Sequence, residues 1–586
     1  MKTLQSGIIY SLLFVINIFY SNRQEIMVEK HQPGEVFQPV REIPVVKSVD
    51  IVIYGGTSAG IVAAVQASRM GKNVVIIEPT SHLGGLTTGG LGQTDIGNKQ
   101  AIGGIAREFY ISIAKVYENP EAWNWQSKND YEKEPKRLIG HSITESGKDI
   151  GEKGMWTFEP KLASKVFQDM IESHNIEVIR NERLDLHNGV IKKGLKIKSI
   201  KMESGREFSA KIFIDATYEG DLMALSGVSY TIGRESVDIY GETLNGIRRK
   251  LSSDHRFPEG IDPYILKGEP TSGLLPGVNP AIGPEGMGDH RVQAYCFRMV
   301  LTDIKANMIP VVKPDGYNEL EYELLFRCIE AGNKGTSFNF SEAGYEGSFF
   351  KFALMPNRKT DSNNEGPVST DFIGRNYDYP DADYETREKI VKAHETYQKG
   401  LVWTLCNHPR VPEEIRKEYN KWGLPKDEFI ENDHWPPQLY IREARRMVSD
   451  FVMTQYHCMQ DSAADQPIGL GAYTMDSHNV QRYVNDKGFV QNEGDVQVGG
   501  FGPYPISYRA IVPKKEECTN LLVLVCLSAS HIAFGSIRME PVFMILGQSA
   551  ATAACLAIDF DQTVQEVNYN LLRKQLIADH QILDDN

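Results

Sequence analysis

Residues 49–78 constrain this chain more than any other stretch. The apolar run VDIVIY (49–54) reads as a strand covered on both faces, as in a parallel sheet. It breaks into Gly55-Gly56-Thr57-Ser58-Ala59-Gly60 and passes into an alanine-rich helix over 61–70. Gly71 stops that helix, and a second strand over 73–77 ends on Glu78. Together these make one β-α-β unit of about 30 residues.

The chemistry of such a turn is specific. Where a strand meets a helix through glycines, backbone N–H groups face outward and the helix N-terminus adds positive potential, which suits a pyrophosphate. Gly55 permits the tight turn and Gly60 permits close helix–strand packing. Thr57 departs from the G-x-G-x-x-G fingerprint: its hydroxyl can bond a phosphate, but it narrows the approach. Glu78, at the end of the second strand, is placed to accept bonds from an adenosine ribose. The bland alternative is a βα turn with no ligand. Glycines continue through 84–90 (GGLTTGG), a loop expected to pass the cofactor crevice or else to be a surface turn.

The remaining composition sets limits. With 586 residues, and about 100–200 residues per domain, two to four domains are expected. A net charge of −14 repels phosphate backbones and argues against nucleic acid. Lys2 precedes an apolar run over 8–20, shorter than the roughly 20 residues that span a bilayer. Residues 1–21 therefore read as a signal peptide, with an uncleaved anchor as the alternative, and no stable membrane span is expected. Residues 22–47, carrying Pro33, Pro39 and Pro44, read as a linker. The expected location is periplasmic or secreted. The seven cysteines show no C-x-x-C pairing, so neither a metal site nor a disulfide framework is expected, with one or two disulfides left open.

Further elements follow from periodicity: a helix over 161–171, a strand over 176–179 and a meander over 189–208 turning at Ser204-Gly205. Strands are expected at 211–216 and 521–525, and helices at 384–399, 442–454 and 541–558. Arg442, Arg445 and Arg446, at helical spacing, read as a solvated or salt-bridged face.

Four stretches resemble the FAD-dependent oxidoreductases of the glutathione-reductase-like type, in a branch of exported proteins from polysaccharide-degrading bacteria. They are 50–79, SHLGGLTTGGLG (81–92), FIDATYEGDLMALSG (213–227) and LVCLSASHIAFGSIRMEPVFMILGQSAATAA (524–554). The resemblance implies an α/β fold: a discontinuous Rossmann-type FAD-binding domain, 48–235 plus 505–586, with an inserted α+β substrate or cap domain over 236–504. It implies FAD held by Gly55, Gly56, Thr57, Ser58, Ala59, Gly60, Glu78, Gly84, Gly85, Ala216, Thr217, Asp221 and Ser536. Tyr218 stands where the family has a glycine, which puts backbone approach there in question.

In the fourth stretch His531 is the candidate general base, or else a histidine that bonds flavin or backbone without proton transfer, and Arg538 a partner for pyrophosphate, Glu540 or substrate. The implied reaction is two-electron oxidation of a C–H bond bearing a hydroxyl or amine, with a sugar as the guessed small-molecule substrate. Oxygen, a quinone or a redox protein is the expected electron acceptor. The middle region offers Asp361, Asn363, Asn364, Asp371, Arg375, Tyr473 and His478, with Trp403, Trp422 and Trp435 for stacking on sugar rings, though each taken singly reads more readily as surface polarity or a core aromatic. Two other classes stay open: a polysaccharide lyase, and a non-redox glycan-binding protein that kept a vestigial flavin fold.

Overall fold

In the computed structural model the described residues are 46–133, 154–249, 255–333 and 348–584. They lie in the unit Val45–Asn586; the expected signal peptide and nearly all of the linker fall outside the described residues.

The glycine-interrupted unit builds the centre of the sheet. Strand β1 (Val46–Tyr54) starts three residues earlier than its apolar pattern suggests, because its first half pairs with a neighbour despite Lys47 and Ser48. Helix α1 (Ser58–Arg69) follows, then β2 (Val74–Glu78). A short helix α2 (Gly85–Thr88) occupies the second glycine cluster, and α3 (Gly104–Glu118) packs beyond it. The Pro160–Ser173 helix leads into β3 (Glu177–Arg180), and β4 (Val190–Lys193), β5 (Lys196–Lys201) and β6 (Glu207–Asp215) form the expected meander.

The order β3-β2-β1-β6 is parallel, with Ile53 of β1 opposite Ile76 on one side and Ile214 on the other. Ile51, Val52 and Ile53 are fully buried, as a strand covered on both faces requires. Strand β6 forks: its start pairs antiparallel with β5, while Phe213–Asp215 pairs in parallel with Leu521–Val523. The late part of the chain thus re-enters the early sheet.

The Glu540–Asp559 helix completes this layer against α1, and its small residues Gly547, Ala550, Ala551 and Ala554 are buried there. It is apolar enough to cross a bilayer, with mean hydropathy 1.7, yet 89% of that stretch is buried inside the protein. All seven cysteines are buried and free.

The helix expected over 442–454 does not form. Leu439–Tyr440 and Arg445–Met447 are instead short strands, paired antiparallel with Cys296–Phe297 and Tyr230–Ile232. The reason is ionic. Arg442 reaches Asp371 at 3.0 Å, Arg445 reaches Asp221 at 2.7 Å, and Arg446 reaches Glu235 and Glu443 at 2.5 Å each. Asp371, Asp221 and Glu235 belong to three separate segments of the chain. Nor is the face solvated: Arg442 and Arg446 are 1% and 0% exposed. The Tyr384–Asn407 helix forms as expected and runs two turns further.

Candidate active site

Two cavities flank the Leu439–Tyr440 strand. Its alternation divides them: Leu439 and Ile441 line the first, of about 400 Å³, and Tyr440 lines the second, of about 850 Å³.

The first cavity sits at the carboxyl ends of β1, β2 and β6, and its wall includes Gly55, Thr57, Glu78, Gly85, Thr217 and Asp221. Gly55 has φ +106°, and a Cβ there would lie 2.8 Å from the Ala216 carbonyl carbon, so only glycine lets the turn lie on the end of β6. A Cβ on Gly60 would run into the Gly55 carbonyl oxygen. Thr57 is the N-cap of α1: its hydroxyl donates to the Ala216 carbonyl (2.8 Å) and accepts from Gly60 N (3.3 Å). Its one hydroxyl proton is therefore spent on the Ala216 carbonyl.

Glu78 accepts from Gly56 N (2.7 Å), Thr80 N (2.7 Å) and the Thr80 hydroxyl (2.6 Å). Burial pushes its carboxyl up to about 7 against these bonds. Asp221 reaches the wall already clamped by Arg387 (2.6 and 2.9 Å) and Arg445 (2.7 Å). Burial would raise its pKa, but the two guanidiniums hold it below the ordinary value. Thr217 bonds Asp215 through its hydroxyl at 2.7 Å.

Behind this wall, Glu540 accepts from Ser58 (2.6 Å), Thr87 (2.6 Å) and the Tyr218 hydroxyl (2.7 Å). One carboxyl, its pKa raised by burial, thereby ties together α1, α2, the end of β6 and the last long helix. Tyr218 fills the space above Gly85, and Leu86 N donates to its hydroxyl at 2.9 Å. The departure from glycine at 218 is thus a strut between segments. Gly56, Ser58, Ala59, Gly60, Gly84 and Ala216 stand behind the lining as scaffold.

The second cavity is polar and collects residues distant in sequence: Asp361, Asn363, Asn364, Tyr473, His478 and Arg538 all line it. Asp371 stands just behind. Its carboxylate takes His478 Nδ1 at 2.7 Å and Arg442 at 3.0 Å. His478 Nε2 is 3.7 Å from Asp476, which Arg538 approaches to 3.1 Å. Burial and then Arg442 lower the His478 pKa below the ordinary 6.5, against the pull of Asp371 and Asp476. Asp476 is held below the usual carboxylate range: burial opposes this, but His478, Arg538, Arg442 and Lys351 outweigh it.

Tyr440 carries guanidiniums around its ring: Arg442 at 4.6 Å, Arg538 at 5.5 Å and Arg298 at 5.9 Å. Its hydroxyl accepts from Arg538 at 2.5 Å. Arg298 forks onto Asp361 at 2.7 and 2.6 Å, with Asp95 at 3.6 Å. Sequence reasoning missed Tyr440, Arg298, Asp95 and Asp476, because nothing local in the chain joins them.

Other expected residues fall elsewhere. His531 is 2% exposed and lines neither cavity; Glu443 takes its Nδ1 at 2.7 Å and Ser477 lies 3.1 Å from its Nε2. Ser536 lies between Tyr504 and the Tyr473 carbonyl, off both walls. Arg375 pairs with Glu321 at 2.8 Å. Trp435 packs edge-on to Phe297, Trp422 against Phe352, and Trp403 against Tyr317, so none lines either cavity.

The family model for FAD dependent oxidoreductases matches residues 50–576. The chain is a member of that family. Its cofactor is FAD, and this oxidoreductase has a wall that fits it. The Gly55 turn packs directly on the end of β6, where a Cβ would clash, and brings Gly55, Thr57 and the Glu78 carboxylate onto one wall. Gly55, Thr57, Glu78 and Thr217, which line it, would hold the nucleotide half.

Among curated proteins none matches. Solved structures similar to this oxidoreductase include OxyS anhydrotetracycline hydroxylase from Streptomyces rimosus (13% identity, 36% of each chain, TM-score 0.21). L-amino acid deaminase from Proteus vulgaris (14%, 34% of this chain and 55% of that one, 0.22) is another. L-proline dehydrogenase from P. horikoshii (16%, 33% and 59%, 0.22) is a third. The oxidoreductase spans less than two thirds of each, and at these scores the likenesses carry no weight for its substrate.

Proposed function

We propose that this oxidoreductase removes two electrons from a C–H bond bearing a hydroxyl, on a sugar-like substrate held in the larger cavity, with His478 as the base. The observation that carries the reading is the Asp371–His478 pair in the cavity wall, bonded at 2.7 Å. Asp371 fixes the ring through Nδ1 and leaves Nε2 on the cavity side, the arrangement a proton acceptor needs. With its pKa below 6.5, the ring is neutral near pH 7 and ready to take the hydroxyl proton. Bound FAD supplies the acceptor for the hydride that leaves the same carbon. The wall suits a hydroxyl-rich ligand because Arg298 and Arg538 are each already matched to a carboxylate and so present polar N–H edges.

The N-terminal pattern of Lys2 and the apolar run over 8–20 supports export to the periplasm or beyond, where oxygen, a quinone or a redox protein would serve as electron acceptor. Anaerobic mixing of the FAD-loaded protein with a sugar panel tests the reaction. Bleaching of the flavin absorbance by at least one sugar, lost in His478→Ala while the yellow colour stays, is the expected result. Unsaturated sugar ends formed without bleaching would replace the reading with elimination.

A further inference from the structure

We infer that the larger cavity contains a carboxylate subsite, centred on Lys351 and Asn363, so that the substrate is an anionic sugar: a sugar acid rather than a neutral sugar. This rests on the reading of that cavity as the substrate site.

Most cations in the wall are already engaged. Arg298 is forked onto Asp361, Arg538 binds Asp476, and His478 is held by Asp371. Lys351 lines the same cavity, half-buried, and among the described residues its ammonium has no ion-pair partner. An ammonium that has lost part of its water without gaining a carboxylate is stabilised when an anion arrives.

A second, independent feature points the same way. Asn363 is 8% exposed and lines the cavity. Its carbonyl Oδ1 is claimed by the Arg442 guanidinium at 3.2 Å, which fixes the amide and presents its NH₂ as a donor. Lys351 N donates to the Asn363 carbonyl at 2.8 Å, so the two residues are joined across paired segments. An ammonium and an oriented amide NH₂ on adjoining segments form a donor pair that matches the two oxygens of one carboxylate.

The wall carries four carboxylates, Asp95, Asp361, Asp476 and Asp495, and the first three each form an ion pair with an arginine. Asp361 is neutralised by Arg298, and Asp476 by Arg538. Lys351 also acts on Asp476, the neighbour of His478 Nε2, so an anion bound at Lys351 lies within electrostatic reach of the base.

The test is titration calorimetry of the FAD-loaded protein with D-glucuronate and D-galacturonate against D-glucose and D-galactose, in wild type, Lys351→Met and Lys351→Arg. At least one hexuronate should bind at least about tenfold more tightly than its parent hexose. That ratio should fall about tenfold in Lys351→Met and largely survive in Lys351→Arg, with the flavin spectrum retained in both as evidence of folding. An unchanged ratio in Lys351→Met, a hexuronate that binds no better than its hexose, or no binding of either class overturns the subsite. Anaerobic bleaching is followed on the same samples. Hexuronate preference without bleaching by any sugar upholds the subsite and overturns the oxidation proposed above, so the two failures are separable.

Discussion

The two cavities on either side of Leu439–Tyr440 are built by opposite means. The smaller one rests on main chain, a glycine turn, strand ends and a carboxylate that accepts from Gly56 and Thr80, with Arg387 and Arg445 clamping Asp221 at its side. The larger one is made of side-chain pairs between distant segments, as in Arg298–Asp361, Arg442–Asp371 and Asp371–His478. A main-chain site is set by local geometry and tolerates little change in backbone. A side-chain site is set by charge matching, and its parts can be removed one at a time. The comparison teaches where cofactor binding and substrate chemistry can be separated by mutation.

The sharpest separation is expected at His478. Replacing it with Ala should lower kcat by about 10²- to 10⁴-fold, with FAD affinity unchanged, as read by stopped-flow bleaching and equilibrium dialysis. The pH profile follows from the lowered pKa. The base works when neutral, so the rate should be flat through neutrality and fall only as pH drops below 6.5. Asp371→Asn removes a charge that raises that pKa, so the acid limb should move lower still.

Next in size is Gly55→Ala. Positive φ and backbone crowding should cost about 2–4 kcal/mol and most FAD binding, measured by denaturation and flavin content. Full FAD occupancy with wild-type stability would break the contrast from the main-chain side.

Glu78→Gln should weaken FAD about tenfold or more. It should also flatten a pH effect in the FAD-free protein. Burial raises the Glu78 pKa from 4.5 to about 7, so its share of stability is fully present below about 4.5 and is lost as pH rises through about 7. Denaturation of wild type and variant at pH 5 and pH 8 checks the sign.

The smallest effect on rate belongs to His531→Gln. The ring lines neither cavity, so stability should fall by about 1–2 kcal/mol while kcat changes far less than in His478→Ala. A loss equal to that of His478 would return the role of base to the segment first suspected.

Much of the first cavity was legible because its information is local. The order strand, glycine turn, helix, strand and acid is written within residues 49–78, and the Glu78 carboxylate closes on Gly56 N inside that span. The sequence also marked 213–227 and 524–554 as belonging with that unit, and β6 with Leu521–Val523 joins them in one sheet.

What only the tertiary structure decided lies in the long-range pairs. The spacing of Arg442, Arg445 and Arg446 fits a helix, yet three separated sets of carboxylates draw them into extended chain. The conspicuous histidine of the late motif, His531, is held between Glu443 and Ser477, while His478 meets Asp371 across more than a hundred residues. Local patterns fix backbone conformation because they act through bonds and near-neighbour sterics. The partner of a buried charge is fixed by the complete fold, since any carboxylate in the chain satisfies the same arginine until packing selects one.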